Sequence, residues 1–169
     1  SMFAILSIAF RSYFLPILIL SALPFGFCGA VLGHIIFGKG LSMISYWGIG
    51  AACGVVVNDN LVLVDSINRL KGSGKHILEC IVESGVTRFR PIIITSITTF
   101  VGLMPMMLEP SVQANFLKPA VISLSFGVVL SSSVTLILVP CLYLIGDDVK
   151  KSLEQFKASI RSQISKKST

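Results

Sequence analysis

Gly54-Val55-Val56-Val57-Asn58-Asp59-Asn60-Leu61-Val62-Leu63-Val64-Asp65 places a carboxylate between two amides, inside an apolar run long enough to cross a bilayer. On insertion scales an acidic residue at the centre of a membrane helix costs about 2.5–3.5 kcal/mol, and each Leu, Ile or Val returns roughly 0.3–0.6. The apolar neighbours carry that cost, so the helix still inserts. A carboxylate there, with Asn58 and Asn60 beside it, implies a helix that faces protein or water and not lipid.

The chain around this run has the same character. Of 169 residues, 53% are hydrophobic and only 13% charged. That excludes an ordinary soluble domain and gives an all-α, polytopic membrane helix bundle. The net charge is +6, but the Lys and Arg residues fall between and after the apolar runs without aromatic interleaving. The partner they indicate is a lipid bilayer and not nucleic acid. Cys28, Cys53, Cys80 and Cys141 show no C-x-x-C spacing, and no paired His accompanies them. Neither a disulfide framework nor a structural metal is expected, and no cofactor. No H-E-x-x-H, G-x-S-x-G or P-loop occurs, and Asp59 and Asp65 do not share a helical face, so an enzyme is not expected. The start lacks the basic region of a cleavable signal peptide.

Residues 1–10 are apolar but too few to span, which reads as a partial transmembrane helix. Arg11-Ser12-Tyr13 follows as an interfacial turn. Residues 11–146 then form a four-helix transmembrane bundle, with spans predicted at about 14–37, 41–68, 91–108 and 119–145. The first contains Pro16 and Pro24, tolerable where neighbouring helices satisfy the freed carbonyls. Gly29 and Gly33 in that span, and Gly50 and Gly54 in the second, have the small-x-x-x-small spacing of close helix packing. His34, near the end of the first span, reads as hydrogen-bonded or interfacial, since no second ligand accompanies it. Ile77, Leu78, Ile81 and Val82 recur at helical spacing, which predicts a cytoplasmic amphipathic connector over 75–87, lying on the membrane. Thr95, Thr98 and Thr99 share one face of the third span. Their hydroxyls either bond back to their own helix or, at Thr95, reach Asp59 across an interface. The basic tail, 147–169, reads as a surface helix held by anionic lipid or as a solvated segment.

Topology follows from charge. Arg11, Arg69, Lys71, Lys75, Arg88, Arg90 and the tail's Lys150, Lys151, Lys157, Arg161, Lys166 and Lys167 share one side, leaving Lys39 and Lys118 on the other. By the positive-inside rule the larger group is cytoplasmic, and with it the carboxyl terminus.

Four stretches, taken in order, resemble a known family: Phe10-Arg11-Ser12-Tyr13, Leu23-Pro24-Phe25-Gly26, the Gly54 to Asp65 run, and Arg88-Phe89-Arg90-Pro91-Ile92-Ile93-Ile94-Thr95-Ser96. Together they resemble the carboxyl-terminal membrane portion of resistance-nodulation-division (RND) efflux transporters of bacterial inner membranes. The resemblance implies a proton-driven antiporter, trimeric in the multidrug pumps, with large periplasmic domains. This chain would hold helices nine to twelve of twelve, present as a fragment. Its partners would be the missing amino-terminal helices and periplasmic domains, and two further copies in a homotrimer.

The second span matches the family's tenth helix, in which well-known drug pumps carry a lysine facing an aspartate pair. Asn58 stands at that lysine position, and Asp59 follows where those pumps have an amide. The stretch instead looks like the family's own fourth helix, in which an acidic pair follows Gly-x-Val-Val. The resemblance therefore implies that Asp59 itself carries protons, with Asn58, Thr95 and Arg88 in the relay. A rival reading is a non-transporting four-helix scaffold or decayed pump fragment, in which Asp59, with Asn58 and Asn60, is interhelical polar glue.

Overall fold

The computed structural model describes residues 2–10, 14–72 and 76–167. Six helices follow in chain order: α1 (Met2–Phe10), α2 (Phe14–Leu20), α3 (Leu23–Ile36), α4 (Met43–Lys71), α5 (Ile77–Leu108) and α6 (Val112–Lys167). No strand occurs among the described residues, as an all-α bundle requires. Four helical stretches are long and apolar enough to cross a membrane: Phe14–Ile36, Met43–Lys71, Ile77–Leu108 and Val112–Val149. The interfacial turn expected at residues 11–13, Lys75, and the tail side chains from residue 150 onward lie outside the described residues.

α6 is the hub, with α3, α4 and α5 packed along it. Small residues let the backbones meet. A Cβ added at Gly29 would sit 3.0 Å from the Gly127 Cα, one at Gly33 would sit 2.7 Å from the Phe126 ring, and one at Gly48 would strike the Ala120 carbonyl. Gly127 in turn approaches the Cβ of Ala52. The packing expected of Gly29 and Gly33 is therefore present. That expected of Gly50 and Gly54 is not, since a Cβ at either meets nothing within 4 Å. The spacing of four recurs on α4 two residues earlier, at Gly48 and Ala52, and two residues is over half a turn, so Gly50 and Gly54 point away from α6.

Three boundaries differ from the sequence reading. The first span is in two pieces, because Pro24 has no N–H for the Leu20 carbonyl and its ring crowds that position. The Ser21 hydroxyl also donates to the Leu18 carbonyl at 2.7 Å, competing with the backbone ladder. The chain turns at Ser21 and Ala22 and starts again as α3. The connector expected as a separate surface helix over 75–87 is instead the opening turns of α5, which runs unbroken to Leu108. Of the stripe read as lying on the membrane, Ile81 is buried against the bundle beside Cys80 and Ser84, whereas Leu78 and Val82 stay exposed. α6 likewise begins before Pro119 and passes through Ile145 into the tail without a stop.

The inner core joins Leu18 and Ile19 of α2, Leu63, Val64 and Ile67 of α4, Ile81 of α5 and Val139 and Tyr143 of α6. α5 is the least covered span, with only 17% of its most apolar window buried against 44% for each of the first two. Within this chain one side of α5 remains open.

Candidate functional site

α4 presents its three polar neighbours to three environments, as successive residues 100° apart on a helix must. Asn58 is exposed, Asp59 is half-buried and Asn60 is fully buried. Asn60 donates its amide to the Ile19 carbonyl at 3.2 Å, reaching the end of α2 just before the break. The Ser131 hydroxyl of α6 donates to the Ala22 carbonyl at 3.3 Å, on the other side of that break. Neighbouring helices thus donate to carbonyls flanking the turn, and the Ala22 carbonyl also accepts from the Phe25 N–H at 3.1 Å.

Asp59 differs from Asn60. Its Oδ2 is shielded from solvent yet has no hydrogen-bond partner. Its depth follows from two contacts between α4 and α6: Ala52 beside Gly127, and Asn68 bonded to Tyr143. Between these, Asp59 and Asn60 lie level with Val134 and Thr135. Thr135, Ser132 and Ser125 on α6 are buried with hydroxyls that have no partner. Arg88 is half-buried, and its Nε is also shielded and unpartnered. Its neighbour Phe89 lines a groove of about 390 Å³ with Leu136 and Pro140. That puts Arg88 within about one turn of the level of Asp59.

The hydrogen bond from Thr95 to Asp59 is not formed. The Thr95 hydroxyl bonds back to the carbonyls of Pro91 at 3.1 Å and Ile92 at 2.9 Å, and Thr98 does the same with Ile94 and Thr95. Both threonines are exposed, on the uncovered side of α5. The structure thus brings Asp59 and Arg88 to similar depth and leaves Asn58 and Thr95 on open surface.

Comparison with known proteins settles the lineage. Residues 1–147 match the AcrB/AcrD/AcrF family. The chain belongs to that family. With it comes the RND superfamily that the motifs resemble. This AcrB/AcrD/AcrF-family chain is 31% identical over 156 residues to the multidrug resistance protein MdtC of Proteus mirabilis (strain HI4320), a match covering 92% of the chain. Two crystal forms of a heavy metal efflux pump share its fold. One has a TM-score of 0.70 and 27% identity over 77% of this chain, the other 0.74 and 26% over 85%. The chain spans about 15% of the length of MdtC and 13–14% of the heavy metal pump chains.

Two polar clusters in this family member were not legible as sites. At the carboxyl end of α4, the Tyr143 hydroxyl donates to Asn68 Oδ1 at 2.6 Å, Lys71 pairs with Asp147, and the Lys71 ammonium lies 5.9 Å from the Tyr143 ring centre. At its amino end, buried His34 donates from Nδ1 to the Ala30 carbonyl at 2.9 Å, so in the neutral ring Nε2 accepts from the Ser45 hydroxyl, also at 2.9 Å. His34 is thereby a hydrogen-bonded tie between α3 and α4, the role expected for it over metal ligation. The first cluster joins residues about 75 apart in sequence, which no local spacing announces.

Proposed function

We propose that this chain is part of the membrane domain of a proton-driven efflux transporter, and that Asp59 carries the proton. The observation behind this reading is the Asp59 carboxyl itself: mid-span, half-buried, with Oδ2 bonded to nothing. A carboxyl that holds no structural bond can gain and lose a proton without breaking one. Arg88, near the same depth, is the positive group able to stabilise the charged form once the two approach. Asn58 and Thr95, on open surface beside it, would complete the relay when the rest of the pump covers that side. The pump would lie in the bacterial inner membrane with its carboxyl terminus in the cytoplasm, and would work as a homotrimer with the amino-terminal helices and periplasmic domains. Deprotonation on one side of the membrane and protonation on the other would bias the packing of α4 against α6, and so drive export.

Of the three residues that the rival reading makes interhelical glue, Asn58, Asp59 and Asn60, one takes that role. Asn60, and not Asp59, makes the bond between helices. The test is Asp59→Asn in the full-length pump, expressed in an efflux-deficient host. We expect normal amounts of inserted protein and no protection against any compound of a panel of dyes, detergents and divalent metal salts that the wild type exports. Protection equal to wild type would sink the assignment.

A further inference from the structure

The break in the first span has a construction that the proton relay does not require. Two spans donate to its carbonyls from different sides: Asn60 of α4 to Ile19 just before the turn, and Ser131 of α6 to Ala22 within it. Ser21 and Pro24 keep the two pieces from fusing. Only Asn60 of these groups is adjacent in sequence to Asp59, and it is fully buried, so a movement of α4 at that level is felt first at the Ile19 carbonyl. Asn60 is also only half used. Its Oδ1 has no partner, and Thr135, level with it on α6, has a buried hydroxyl that is equally unpartnered. A fully satisfied amide would be locked in place, whereas one bond on a yielding carbonyl, with an unused acceptor, leaves room for a second arrangement.

We propose that the turn at Ser21 and Ala22 is a hinge, and that Asn60 is the positioning residue coupling the Asp59 helix to it. The proposal rests on the reading of Asp59 as proton carrier. When α4 shifts, the Asn60 amide pulls on the end of α2 while Ser131 holds the start of α3 to α6. The two pieces of the span then bend against each other. The outer piece, α3, packs through Gly29 and Gly33 on α6, and it turns α4 motion at mid-membrane into movement at the far surface.

The experiment uses the full-length pump in an efflux-deficient host and in proteoliposomes carrying a pH-sensitive dye. The probe is whichever dye, detergent or divalent metal ion the wild type exports best. Asn60→Leu removes the donor while keeping the number and branching of the side-chain heavy atoms. Export should fall about tenfold, the ratio commanded by one buried hydrogen bond. Inward proton flux should stay within about twofold of wild type, so that protons cross without work. A purely structural role would lower both together, and that result, or unchanged export, overturns the proposal. Should Asn60→Leu fail to insert, Pro24→Ala decides. It returns an N–H to the Leu20 carbonyl and lets the helix close across the turn, so the protein should be at least as stable yet export less; full export overturns the hinge. Asp59→Asn run alongside separates the two ideas. Proton flux that survives in it brings down the carrier assignment, whereas Asn60→Leu and Pro24→Ala are judged by export.

Discussion

α4 has two faces of similar composition and opposite condition. On one, Gly48, Ala52, Val56, Asn60, Leu63 and Ile67 are buried against α2, α3 and α6, and the amide of Asn60 is bonded. On the other, Gly50, Gly54, Asn58 and Asp65 are exposed, and Asp59 sits at the margin with an oxygen bonded to nothing. Both faces carry small residues four apart and both carry amides, so neither composition nor spacing tells them apart. What differs is whether a partner helix belongs to this chain. Polar groups on the closed face hold the bundle together; those on the open face are uncommitted, the state needed by groups that must change protonation.

Forcing each face to accept bulk breaks the comparison most severely. Gly48→Leu drives a side chain into the Ala120 backbone and should cost at least about 1–3 kcal/mol, because backbone cannot move aside as a flexible side chain can. Gly50→Leu, with open space at its Cβ, should cost far less. Thermal unfolding of this chain by itself in detergent, where the open face stays uncovered, measures both, and equal losses would mean the faces are wrongly assigned.

The tie at the carboxyl end of the closed face gives a middle-sized effect. Tyr143→Phe removes the bond to Asn68 and should destabilise by about 1 kcal/mol. Asp147→Asn breaks the pair with Lys71. Since the Lys71 side chain is 46% exposed, the loss is discounted toward the surface value, about 1 kcal/mol, and not the several of a fully buried pair. Because Lys71 touches both residues, the double variant should lose measurably less than the two single losses combined, and strict additivity would dissolve the cluster into separate contacts. The smallest effect belongs to the open side of α5. Thr98→Val removes a hydroxyl that only bonds back to its own helix, so stability should stay within about 0.5 kcal/mol of wild type by the same unfolding assay.

The helices were legible because apolar runs of spanning length have few alternatives in a membrane. Gly29 and Gly33 were legible because both lie on the one face of α3 that meets α6. The second glycine pair finds no partner within this chain, since Gly50 and Gly54 repeat the spacing of Gly48 and Ala52 on the opposite, open side of the same helix. The opening turns of α5 read as a separate helix because Pro91 looks like a start, whereas the helix runs through it from Ile77 to Leu108. Asp59 stood out by its cost in a bilayer. Asn60 did not, because its partner is a backbone carbonyl 41 residues earlier, at the edge of a turn whose position the local sequence leaves open. Thr95 held two readings, and the bond to its own helix is the one formed.

The most direct test of the central claim is proton flux in proteoliposomes of the full-length pump, with Asp59→Asn set against wild type. The account predicts that the wild type acidifies the interior when its best exported compound is supplied, and that Asp59→Asn, inserted in equal amount, does not. Equal acidification by both would contradict it.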